Sequence, residues 1–153
     1  MPVLVDTGVF LRAFVKADPH CGPIRTALLR LRRQDEELVA SFQNVAEFVN
    51  VSTRPSISRG GYGLPAKIVQ ARVAFIERLC RRVVEDDEAY QYWKHLVFKY
   101  NVSGVAVHDA RLVAIMLAYG IKQILTVNDR DFRRYESEGI TAVTPQALIG
   151  NVT

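Results

Sequence analysis

The chain has 153 residues, 49% of them hydrophobic and 24% charged, with a formal net charge of +4. That is ordinary globular composition, long enough to bury a core as one domain over 1–153 without disulfide staples. No apolar stretch nears the roughly 20 residues that span a bilayer, and no cationic segment precedes the first apolar run, which sets aside membrane and secreted classes and leaves the cytoplasm as the expectation.

The opening run Pro2-Val3-Leu4-Val5 reads as a buried strand that delivers Asp6 into a turn, ahead of a short helix over 9–15. In an α/β protein, a carboxylate at the carboxyl end of a buried strand stands where such folds bind ligands. Residues 17–23 break the helix, and Pro23 suits the first turn of a second one, where Ile24, Ala27, Leu28 and Leu31 recur at helical spacing. A brief strand at 37–41 follows. Ser41, or Gln43 with Asn44, can cap the next helix, which runs to about 53 and carries Glu47 among apolar neighbours. Residues 54–65 hold prolines, glycines and serines without apolar periodicity, so an exposed loop is expected. With its flanking helices it is the candidate partner groove or substrate mouth.

A helix over 66–82 and a short strand at 83–84 come next. Asp86, Asp87 and Glu88 then favour the start of a helix bearing Tyr90, Trp93, Leu96 and Val97. His108 and Asp109 open a strongly patterned helix that Gly120 closes. A strand at 124–127 ends in the acidic turn Asn128-Asp129-Arg130-Asp131, and a last strand at 140–143 leads to Thr144-Pro145 and a terminal helix. Strands separated by helical patterns imply parallel strands joined by crossovers, an α/β fold.

Arginine outnumbers lysine and comes in three clusters: Arg30, Arg32, Arg33; Arg78, Arg81, Arg82; and Arg130, Arg133, Arg134. Guanidinium forks match phosphate oxygens, which fits a phosphate-rich partner, while any one cluster equally fits a solvated helix face. Cys21 and Cys80 lack paired spacing and are read as reduced thiols. The aromatic group Tyr90, Tyr92, Trp93, Phe98 and Tyr100 reads first as packing, with base stacking as the lesser alternative.

Asp6, Glu47, Asp109, Asp129 and Asp131 are each unexceptional alone, as a cap, a boundary residue, a first-turn acid and turn acids. Three of these sites fall where a strand or loop feeds a helix, the end of an α/β sheet where such turns cluster. Glu47 can project from a helix covering the same end, so their convergence is the expectation. Converging carboxylates repel unless a cation neutralises them, and an all-oxygen set suits Mg²⁺ or Mn²⁺. Such an ion can generate a hydroxide nucleophile and stabilise a phosphodiester transition state. A phosphatase with Asp6 as covalent nucleophile would want a second aspartate two residues on, where Gly8 stands.

Several pieces in order resemble the PIN domain, and within it the VapC toxins of prokaryotic toxin–antitoxin pairs. They are Val5-Asp6-Thr7; Ser41 to Phe48; Ser103-Gly104 with His108 to Ala114; Tyr119-Gly120-Ile121; Ile124 to Phe132; and Val143-Thr144-Pro145. The resemblance implies a three-layer α/β/α fold around a parallel sheet of about four to five strands. It further implies a metal-dependent endoribonuclease that cuts RNA, is held inactive by a cognate antitoxin and forms a homodimer. Asp6, Glu47 and Asp109 would surround Mg²⁺ or Mn²⁺, with Asp129 or Asp131 as a fourth acid and Thr7, Thr126 and Asn128 orienting the carboxylates. Two positions depart from the family pattern: Gly8 replaces a common asparagine, and Asn128 occupies the usual place of the fourth acid. Both features favour the competing reading, the same fold binding RNA or protein without cleaving.

Overall fold

The computed structural model describes residues 1–58 and 60–150; Arg59, inside the expected loop, and the last three positions of the expected domain lie outside the described residues. The elements run β1 (Pro2–Val5), α1 (Thr7–Ala13), α2 (Cys21–Arg33), β2 (Glu37–Ser41), α3 (Phe42–Thr53), α4 (Ala66–Leu79), β3 (Arg81–Val83), α5 (Asp87–Lys99), α6 (Ala106–Tyr119), β4 (Gln123–Leu125), a 3₁₀ segment (Asp129–Glu138), β5 (Thr141–Val143) and α7 (Pro145–Gly150). The five strands form one parallel sheet in the order β3-β2-β1-β4-β5. Helices cover both faces, as a wholly parallel sheet requires.

Side chains alternate along the strands to feed two cores. Leu4, Val39 and Ile124 face α5, α6 and the 3₁₀ segment, packing with Leu96, Leu112, Met116, Phe132 and Tyr135. Val3, Val5, Leu38, Ala40 and Leu125 face α1 to α4, packing with Phe10, Ile24, Phe48 and Ile76. The result is three layers, α/β/α. Cys21 and Cys80 are buried free thiols; Cys80 packs in the second core, and burial pushes its thiol up to about 12.

The expected elements form, with shifted ends. α1 starts at Thr7 because the Asp6 carboxylate caps it directly, and α6 starts at Ala106, two residues ahead of His108. The helix expected over 66–82 stops at Leu79, since Arg81 to Val83 pair with β2 as an edge strand. Residues 54–65 are less free than an exposed loop would be. Tyr62 and Leu64 donate backbone hydrogen bonds to the carbonyls of Val51 (3.0 Å) and Ser52 (2.9 Å), so the segment folds back along the end of α3. Ile57 stays exposed at its tip.

Candidate functional site

All five strands point the same way, so the residues following β1, β2 and β4 share one end of the sheet, the end where α/β folds bind ligands. Asp6 follows β1 and is held by two hydrogen bonds. Its Oδ1 accepts from the Thr7 backbone N–H (2.8 Å) and its Oδ2 from the Thr126 hydroxyl just after β4 (2.8 Å). Thr126 is fully buried, and its oxygen also accepts from the Asn128 N–H at 3.1 Å.

Glu47 arrives from α3. Ser41 ends β2 and caps that helix reciprocally: its hydroxyl accepts from Asn44 N–H (3.1 Å), while Asn44 Oδ1 accepts from Ser41 N–H (2.9 Å). Asn44, wholly buried, extends Nδ2 to the Thr7 hydroxyl at 3.2 Å. Thr7 in turn donates to Glu47 Oε2 at 3.0 Å, and Gln43 Nε2 donates to Glu47 Oε1 at 3.0 Å. Both carboxylate oxygens of Glu47 are thereby fixed. The same Gln43 amide reaches the His108 carbonyl at 2.9 Å and so ties α3 to the first turn of α6, which carries Asp109. His108 contributes that carbonyl; its ring lies on an exposed residue.

Electrostatics identify which acids lie near enough to act on Asp6 and Asp109. Burial raises the Asp6 carboxyl above its ordinary range against the pull of its two hydrogen bonds, and Glu47 and Asp131 add to the rise. Asp109 is pushed up to about 7 by burial, then by Asp6, Asp131 and Glu47, with Arg134 opposing. Four carboxylates, those of Asp6, Glu47, Asp109 and Asp131, thus converge with one arginine against them. They stand apart rather than in a cage: among the described residues no three His, Cys, Asp or Glu groups close into a ready-made metal-ligand set.

Residues 3–138 match the PIN domain family. The chain belongs to it. Three solved structures share this PIN domain's fold at low identity. A VapBC2 complex from Rickettsia felis bound to a promoter DNA fragment superposes with a TM-score of 0.67 at 11% identity, over 94% of this chain and 98% of that one. VapC20 of Mycobacterium tuberculosis, a toxin that cleaves the sarcin–ricin loop, gives 0.62 at 19%, over 92% and 98%. A toxin–antitoxin complex from Klebsiella pneumoniae gives 0.64 at 16%, over 94% and 97%. Comparison with curated proteins yields no match.

The two departures from the PIN pattern have visible settings. A Cβ on Gly8 would lie 3.0 Å from Arg12 Nη1 and 3.3 Å from Val127 Cγ2, so a side chain there needs both to give way. Asn128 donates through Nδ2 to Asp131 Oδ2 at 2.7 Å, which orients that acid. Asp129 pairs instead with Arg133 at 3.5 Å. In the sequence Gln43 reads only as a helix cap. Its place four residues before Glu47, on the same helix face, is the signal that could have found it.

Proposed function

We propose that this PIN domain is an endoribonuclease dependent on Mg²⁺ or Mn²⁺, the toxin of a toxin–antitoxin pair. The convergence of Asp6, Glu47, Asp109 and Asp131 at the carboxyl end of the sheet carries this reading. Repelling carboxylates with little cationic relief fit a hard divalent ion. Mg²⁺ keeps several of its waters and is commonly bound through one or two carboxylates, so no closed cage is needed. The Gln43 Oε1, buried beside Glu47 with no donor among the described residues, leaves an acceptor open to such a water.

Asp6, Asp109 and Glu47 would hold the ion, with Asp131 completing the acidic rim. When bound, the ion supplies an activated water and neutralises charge developing on the phosphodiester. Thr126 and Asn128 keep Asp6 and Asp131 from rotating, and Thr7 with Gln43 does the same for Glu47. Preset carboxylates need no reorganisation when substrate arrives.

The folds shared with toxin–antitoxin complexes support an antitoxin partner; association of two copies is part of the same proposal. An apolar groove of about 440 Å³ between α2 and α4 is open to such a protein; Phe14, Leu28, Leu29, Phe75 and Leu79 line it, and Arg25 and Arg32 rim it. The binding-module reading keeps in its favour Gly8, Asn128 and the lack, among the described residues, of a closed set of three potential metal ligands.

The test is incubation with mixed RNA, with and without Mg²⁺ or Mn²⁺, beside Asp6→Asn. Metal-dependent cleavage that falls about a hundredfold or more in the variant is expected. A folded protein that binds metal at these acids yet leaves every RNA intact would move the assignment to the binding module.

A further inference from the structure

Beside the acid cluster, on the β3 side, lies a second feature that the nuclease site does not use. Glu85, Tyr90, Trp93 and Arg111 line a cleft of about 270 Å³. Tyr90 and Trp93 come from successive turns of α5, with ring centroids 6.2 Å apart and planes inclined by 31°. Tyr90 is 51% exposed, which leaves much of its ring open to a ligand. Trp93 is held in place, its indole N–H donating to the Val107 carbonyl at 2.9 Å in the first turn of α6. Arg111, one turn further along α6, is clamped by Glu85, with Nε 2.8 Å and 3.0 Å from the two carboxylate oxygens. Trp93 and Arg111 are therefore held in place before any ligand arrives.

We infer that this cleft takes an unpaired nucleobase of the substrate RNA, stacked on Tyr90 and Trp93, next to the phosphodiester presented to the acids. The inference rests on the nuclease reading proposed above. Three observations point to a base rather than a protein side chain. The cleft neighbours the candidate centre: α6 carries Val107, Asp109 and Arg111 within two turns, Gln43 joins Glu47 to the His108 carbonyl, and Arg111 is close enough to feel the charge of Glu47. An α-helix with its side chains is only about 10–12 Å across, a short step along a single strand. The charge fits as well. Lys94 lies 5.9 Å over the Tyr90 ring, where an ammonium can meet backbone phosphate, and the Glu85–Arg111 pair offers one wall with both donor and acceptor edges. The size fits too, because the cleft falls just below the roughly 300–1,000 Å³ of whole-ligand pockets and so suits one ring system of a longer substrate.

Trp93 is the only tryptophan in the chain, which provides a direct reporter. Metal-free full-length protein in chelator, where cleavage is silent, is titrated with unstructured hexauridylate and hexaadenylate and with an abasic ribose-phosphate hexamer. End-label polarisation reads binding, and Trp93 emission reads occupancy of the cleft. Quenching by the base-bearing hexamers is expected, with the abasic hexamer and the Tyr90→Ala variant each at least about 5-fold weaker. Tyr90→Phe keeps the ring and should bind within about 2-fold of the parent, which separates stacking from general damage. Polarisation binding that leaves Trp93 unquenched and ignores Tyr90 overturns the cleft while the nuclease reading stands. If no hexamer binds and the mixed RNA above is never cut, both fall. A blue shift of Trp93 emission on concentrating the protein alone, lost in Tyr90→Ala, gives the cleft to a second copy of the chain and also overturns it.

Discussion

Asp109 sits half-buried in the first turn of α6, and its carboxyl ionises near 7 instead of the ordinary 3.8 because burial and three neighbouring acids disfavour the charge. Between those two values the native state keeps a proton that the unfolded chain has already shed. Stability must then fall as pH rises through that window and level off above it. The melting temperature of protein in chelator is expected to decline from about pH 4 to about 7, and Asp109→Asn to flatten the decline. Mg²⁺ or Mn²⁺ favours the charged forms, so added metal should raise the melting temperature far more at pH 8 than at pH 5. A gain equal at both values would separate the ion from these acids. Asp6 and Asp109 were legible in the sequence because one closes a strand and the other opens a helix, and Glu47 because it interrupts an apolar helical stretch. Gln43 was not, since its role depends on a carbonyl 65 residues away that only the fold brings near. Likewise, nothing in the run 128–131 distinguishes Asp131, which Asn128 steers, from Asp129, which Arg133 draws off.

The element that joins fold to site is α3. Its capping box serves twice, ending β2 at Ser41 and fixing Asn44 against Thr7, one turn before Glu47. Ser41→Ala removes the acceptor for Asn44 N–H and should cost about 1–2 kcal/mol in denaturant unfolding. It should also lower cleavage, because Asn44 loses one of the contacts that steady Thr7 beneath Glu47. Full activity in a destabilised Ser41→Ala protein would show that the cap serves the helix alone. At the other end of α3, the returning segment passes so close that a Cβ on Gly61 would stand 2.4 Å from the Arg54 carbonyl oxygen and 2.6 Å from that of Pro55. Gly61→Ala must displace backbone, at about 1–3 kcal/mol. Wild-type stability in that variant would mean the segment is not held against α3. Turn residues in 54–65 were plain in the sequence; that their amides would repair the carbonyls at the end of α3 was not, because hydrogen bonds between backbones leave no residue signature. β3 was blurred for a related reason. Two arginines precede its one buried valine, and only pairing with β2 makes them a strand.

Across the whole molecule, the direction of the parallel sheet sorts the arginines in a way that composition cannot. Arg32 and Arg33 end α2, and Arg78 lies in the last turn of α4; both helices lead into strand starts, at the opposite end of the sheet from the acids. Arg32, Arg78 and Arg81 are interleaved there with Asp35, Glu36 and Glu37, and Arg81 Nε lies 2.6 Å from Glu37 Oε1. Arg30 donates to the Leu148 carbonyl at 2.8 Å and helps seat α7. These clusters therefore serve helix ends and local pairing, while the cluster of Arg130, Arg133 and Arg134 rides on the 3₁₀ segment beside the acids, near enough for Arg134 to oppose the repulsion at Asp109. On the proposed nuclease reading, a substrate strand crossing the acidic rim would meet only this third of the three arginine clusters. Each phosphate contact with a single strand contributes about 0.7 to the slope of log affinity against log salt. Binding of an RNA oligomer by metal-free protein is thus expected to weaken in Arg134→Ala, with a slope shallower by about 0.7, while Arg78→Ala leaves both affinity and slope unchanged. The reverse pattern, a slope that responds to Arg78 and ignores Arg134, would put the RNA at the far end of the sheet and detach the basic charge of this chain from its candidate site.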